Sequence, residues 1–125
     1  MIRAAIAALL LMLPLTARAA EPEIVKVQVS KPDMGWLFEV TLRHADTGWD
    51  HYADGWEVLD RHGNRLGFRR LTHPHVNEQP FTRSLRGVMI PDGIRMVMIR
   101  VHCTEDGWAS RPIKVKPSPA GRGTY

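Results

Sequence analysis

A single cysteine, Cys103, stands in the 125 residues, so no internal disulfide can tie this chain together. Small exported domains often depend on such staples, and this one has to rely on its packed core instead. The longest apolar run, residues 4–15, falls short of the about 20 residues a membrane-spanning helix needs. Charge of one sign is also scarce: 17 Lys and Arg face 13 Asp and Glu. No Lys/Arg cluster is interleaved with aromatic residues and no recognition-helix pattern is present, so no nucleic-acid partner is expected. There is no amphipathic helix of ordinary length and no internal repeat.

The chain opens instead with a basic start at Arg3, the apolar run, and a small-residue end containing Ala17-Arg18-Ala19. This is the pattern of a bacterial secretory signal peptide over residues 1–20, which predicts a periplasmic or secreted protein. No cysteine follows the expected cut, so no lipid or other membrane anchor is expected there. Without Arg3 and Arg18 the formal charge falls from +4 to +2, a slight basic excess and not a basic face. Residues 21–116 have the size of one small domain with one core, and the Pro/Gly-containing stretch 117–125 reads as a flexible tail.

Within the domain the apolar pattern has period two. Val25, Val27 and Val29 alternate with Lys26 and Gln28; Trp36, Phe38, Val40 and Leu42 alternate with Leu37, Glu39, Thr41 and Arg43; Val97, Ile99 and Val101 alternate with Met98 and Arg100. Short runs at 56–59, 66–71, 81–88 and 113–115 bring the expected strands to about seven, separated by turn signals such as Arg61-His62-Gly63-Asn64 and Pro91-Asp92-Gly93. The fold class expected is all-β, an antiparallel sandwich of immunoglobulin-like or fibronectin-like type. Trp36 and Trp56 read as core anchors, and Met89, Met96 and Met98 as packing residues on or near a strand.

If the strands run up and down, the connections after the second, fourth and sixth strands share one pole. Those connections hold His44, His51, His73, His75, His102 and Cys103, five of the six histidines with the only thiol. Strand phase carries the inward face of 36–42 on to His44 and that of 97–101 on to Cys103, while His102 faces outward. His73 and His75, two apart, project the same way in an extended segment. Imidazole and thiolate together suit zinc, copper or iron, with Asp106 as a further ligand and Asp50 or Glu78 completing or orienting the set. Trp49 and Trp108 would wall the pole. Arg69, Arg70, Arg83 and Arg86 make either an anion-binding face or an ordinary solvated sheet surface.

The stretch "HADTGWDHYADGWEVLDRHGNRLGFRRL", followed later by "VHCTEDGW", resembles the iron domain of superoxide reductases and desulfoferrodoxins, itself an immunoglobulin-like sandwich. The resemblance implies His44 and His51 as imidazole ligands and Cys103 as a thiolate opposite an open coordination position. It also sets Trp56 and Glu57 at the start of the family's Trp-Ile-Glu strand. The family's Cys-Asn-x-His-Gly turn reads Cys103-Thr104-Glu105-Asp106-Gly107 here, with an aspartate where the last histidine belongs. The leading expectation is thus an iron or copper site serving redox work or metal carriage. The rival readings are that Cys103 is simply a small buried hydrophobe and the histidines cap turns, or that the same loops bind a periplasmic protein partner without catalysis. Acyl transfer would need a nucleophile turn that the sequence does not supply. Tight clustering of nitrogen and sulfur donors would favour the metal; splayed side chains around a Trp-rich patch would favour the adaptor.

Overall fold

The computed structural model describes residues 21–118 and 122–124. The expected signal peptide, residues 1–20, lies outside them. Among the described residues nine strands follow in chain order: β1 (Glu23–Ser30), β2 (Trp36–Arg43), β3 (Ala53–Leu59), β4 (Arg65–Arg70), β5 (Phe81–Val88), β6 (Val97–Cys103), β7 (Gly107–Trp108), β8 (Ile113–Val115) and β9 (Arg122–Thr124). They form two antiparallel sheets. One has the order β5-β2-β1-β9; the other has the order β4-β3-β6-β7, with β8 also pairing with β6. No helix among the described residues is long and apolar enough to cross a membrane.

Alternation builds the sandwich because successive side chains of a strand face opposite ways. Phe38, Val40 and Leu42 of β2 meet Trp56 and Val58 of β3 and Val97, Ile99 and Val101 of β6 in one core, each at most 1% exposed. Burying each such side chain stabilises the fold by about 1.5–3 kcal/mol before chain entropy is counted. The first strand departs from the expected phase. A register shift between Ile24 and Lys26 turns Ile24 into the core and leaves Val25 outward, 37% exposed. The stretch expected as a flexible tail contains β9, which pairs with Gln28–Ser30 of β1.

The connections that matter for the site behave as the topology requires. The β2–β3, β4–β5 and β6–β7 connections all leave the sandwich at the same pole, where Arg43 of β2, Ala53 of β3 and Cys103 of β6 end or begin their strands.

Candidate metal centre

Inward phase delivers two of the three central side chains. His44 continues the buried face of β2 past its last residue and is 3% exposed; Cys103 closes β6 and is fully buried. The third, His51, arrives on a small hairpin. Thr47 N–H donates to the His51 carbonyl (2.9 Å) and His51 N–H to the Gly48 carbonyl (3.1 Å). This hairpin is fastened to the turn after β6: Thr104 N–H donates to the Tyr52 carbonyl (3.0 Å), Tyr52 N–H to Thr104 Oγ1 (3.1 Å), and Thr104 Oγ1–H to the Asp50 carbonyl (3.3 Å). His51 is thereby held against Cys103, and one ligand atom from each of His44, His51 and Cys103 lies within 4.8 Å of the other two.

The imidazoles are oriented from outside. His44 Nδ1 lies 2.5 Å from Asp46 Oδ1, a carboxylate with no exposed side-chain surface. A carboxylate accepts, so Nδ1 carries the proton and Nε2 presents its lone pair. The same Asp46 accepts the Ala53 N–H (3.0 Å) and the His75 N–H (2.8 Å), tying the β2–β3 connection to the start of β3 and to the β4–β5 connection. His51 repeats the arrangement more loosely, with Nδ1 3.4 Å from Glu105 Oε2. In both rings Nε2 is buried and has no hydrogen-bond partner. Trp56 Nε1, Arg69 Nε and His75 Nδ1 are also buried without a partner, so it is the grouping of two imidazoles with a thiol, more than the lack of partners, that suits a cation. Burial pushes the Cys103 thiol up from its ordinary range, so a metal there would have to displace a proton.

Asp106 completes the surroundings. Its Oδ2 stands 3.6 Å from His51 Nε2 and 3.9 Å from Cys103 Sγ, on the solvent side of the group. Gly107, at φ 76°, takes the left-handed conformation that bends the chain back into β7 after Asp106.

The remaining candidates fall elsewhere. His73 and His75 stand outside the three-donor group. The His75 ring stacks on Phe81 at 3.8 Å between centroids, and its Nε2 faces Arg83 Nη2 at 2.8 Å. Burial, and next the Arg83 guanidinium, hold His75 below its ordinary range. His73 is exposed, 4.4 Å from the His75 ring. Glu78 pairs with Arg83 (3.7 Å) and not with an imidazole. Asp50 is exposed, and only its carbonyl joins the network. Trp49 is 69% exposed with its edge to Tyr52, on the rim and not walling the donors. His102 faces outward as its phase requires. There it bonds Asp54 (2.5 Å) and meets Trp108 edge-on, while Arg100 covers the Trp108 ring; Trp108 thus belongs to the outer sheet face. Asp46, Glu105 and Gln79, whose side chain accepts the His44 N–H (3.0 Å), were not singled out from sequence. Asp46 lies two residues after His44, a same-face spacing that could have drawn notice. A surface cavity of about 440 Å³ against Asp60, His62 and Arg95 lies at the opposite pole.

No protein family matches this chain, and no solved structure does. A protein of Halomicrobium mukohataei named "Putative lipoprotein" is 39% identical over 95 residues, which take in 66% of this chain and 46% of that protein. The chain therefore spans about half the length of the curated relative it matches.

Proposed function

We propose that this protein is an exported metal-binding module that carries or buffers a transition-metal ion at the loop pole of its sandwich. One observation carries the reading: the donor atoms of His44, His51 and Cys103, from three separate segments, converge within 4.8 Å with both Nε2 atoms buried and unpartnered. Convergence of this kind favours the metal over the adaptor reading, because contact residues of an adaptor would splay toward solvent and would not gather three donor side chains at one largely buried point. Export is supported by the signal-peptide pattern of residues 1–20 and by the name of the Halomicrobium relative.

Two imidazoles and a thiolate suit iron, copper and zinc alike. The likeness to superoxide reductases supports a redox iron centre as the finer reading, in which the thiolate would raise electron density at the metal. Carriage fits the size of the domain better, and the exposed Trp49 beside His51 offers an aromatic contact for a protein that delivers or receives the ion. Metal analysis of the protein isolated from the exported fraction tests the reading. Wild type is expected to hold about one ion per chain, and His44→Ala and Cys103→Ala to lose most of it. Equal metal content in all three would remove these residues from any centre.

A further inference from the structure

Resting on the metal-binding reading above, we propose that Asp106 is the fourth protein ligand, closing the centre into a tetrahedral His44, His51, Cys103 and Asp106 set for a divalent ion of the zinc class. Four bonds of zinc type, about 2.0–2.1 Å to nitrogen, 2.3 Å to sulfur and 2.0–2.2 Å to oxygen, put tetrahedral neighbours about 3.4 Å (N···O) and about 3.6 Å (S···O) apart. Asp106 Oδ2 stands 3.6 Å from His51 Nε2 and 3.9 Å from Cys103 Sγ. Both separations are within a few tenths of an ångström of the tetrahedral edges. The carboxylate is too far from the ring for a good hydrogen bond, yet at the right distance to share an ion with it.

An Asp106–His51 ion pair and a hydrogen bond donated by the Cys103 thiol to Asp106 would account for those two spacings by themselves. They would not account for His44. His44 is 3% exposed, its Nδ1 is committed to Asp46, and its buried Nε2 has no partner. An ion held by His44, His51 and Cys103, whose ligand atoms converge within 4.8 Å, would satisfy both Nε2 atoms, and Asp106 approaches that group from the His51 and Cys103 side.

The thiolate and the carboxylate carry one negative charge each and the imidazoles none, so a doubly charged ion leaves the four donors themselves neutral, with the buried Asp46 carboxylate behind His44 adding one negative charge to the surroundings. Four protein ligands also leave no open position for an oxidant, which suits storage or carriage and departs from an open redox centre. Because the Asp106 side chain is 40% exposed while Cys103 is fully buried, solvent reaches the ion from the Asp106 side, where it would enter and leave.

The test uses Co(II) as a spectroscopic stand-in and Zn(II) for affinity, on the full chain. Wild type is expected to give the intense visible bands of tetrahedral Co(II) together with a near-ultraviolet thiolate-to-cobalt band. Asp106→Asn should keep the thiolate band, lose most of the visible intensity, and bind Zn(II) about tenfold or more weaker. Asp50→Asn, which removes a nearby exposed acid, should match wild type; if it weakens binding as much as Asp106→Asn, the effect is general attraction and the ligand assignment falls. Unchanged spectra and affinity in Asp106→Asn overturn the proposal while leaving the three-donor centre standing. A wild type that takes up Cu(I) but neither Co(II) nor Zn(II) overturns it in the same way. A wild type that binds none of the three overturns both readings.

Discussion

Asp46 receives three hydrogen bonds on one buried carboxylate: from the His44 ring, from Ala53 N–H and from His75 N–H. The residue therefore does two separable things. It holds the β2–β3 connection to the β4–β5 connection, and it fixes the orientation of the His44 ring. Replacing the carboxylate by an amide puts an NH₂ group where a donor already points, so Asp46→Asn is expected to cost about 2–4 kcal/mol of stability, since each lost charged hydrogen bond is worth about 1.5–3 kcal/mol. Orientation of His44 should suffer too, lowering Zn(II) affinity about 10–100-fold. Urea melts read the first effect and competition against a chelator the second. Stability loss with unchanged affinity would make Asp46 a structural tie only. At this scale strand phase made His44 and Cys103 legible, because alternation continues past the ends of β2 and β6. Asp46 was not legible in the same way, since its role depends on two backbone amides supplied by distant segments.

At the scale of elements, the strands were readable wherever the apolar alternation was unbroken, as in β6, where every second residue is buried, and in β2 from Phe38 onward, Trp36 being only partly buried. It failed where backbone geometry intervened. The register shift in β1 exchanges Val25 for Ile24, and nothing in the alternation of Val25, Val27 and Val29 announces it. The hairpin carrying His51 is likewise set by backbone hydrogen bonds to the β6–β7 turn, which a single sequence does not display. A related backbone constraint lies at the far end of β2, where a Cβ on Gly35 would come 2.6 Å from the Gly87 Cα atom. At Gly67 the nearest contact of an added Cβ is the end of a side chain, Leu85 Cδ2 at 2.9 Å, which can rotate away. Gly35→Ala is therefore expected to destabilise by about 1–3 kcal/mol, with Gly67→Ala costing clearly less. Denaturant midpoints of the two variants against wild type decide it. Equal losses would mean that the β2 and β5 backbones part as easily as a leucine side chain turns.

For the whole molecule, up-and-down order was enough to bring five histidines and the thiol to one pole, but not to say which of them converge. His75 reaches that pole and is withdrawn by Phe81 and Arg83, leaving His44, His51 and Cys103 together. Burial that assembles the group also shapes the stability of the metal-free protein against pH. Cys103 is raised by burial, so between the unfolded thiol value, about 8.5, and its higher folded value the unfolded chain holds fewer protons than the native one, and stability falls as pH rises. His75 is lowered by burial and by Arg83, so below about 6.5 the unfolded chain holds more protons than the native one, and stability falls as pH drops toward the folded value. Thermal melts of the metal-free protein from about pH 5 to about pH 10 should thus show a plateau between these two values with a decline on each side. His75→Gln should flatten the upper part of the acid decline while leaving the alkaline one, and Cys103→Ala should do the reverse. If either substitution leaves both slopes as they were, the group it removes is not the one whose proton uptake differs between the folded and unfolded chains.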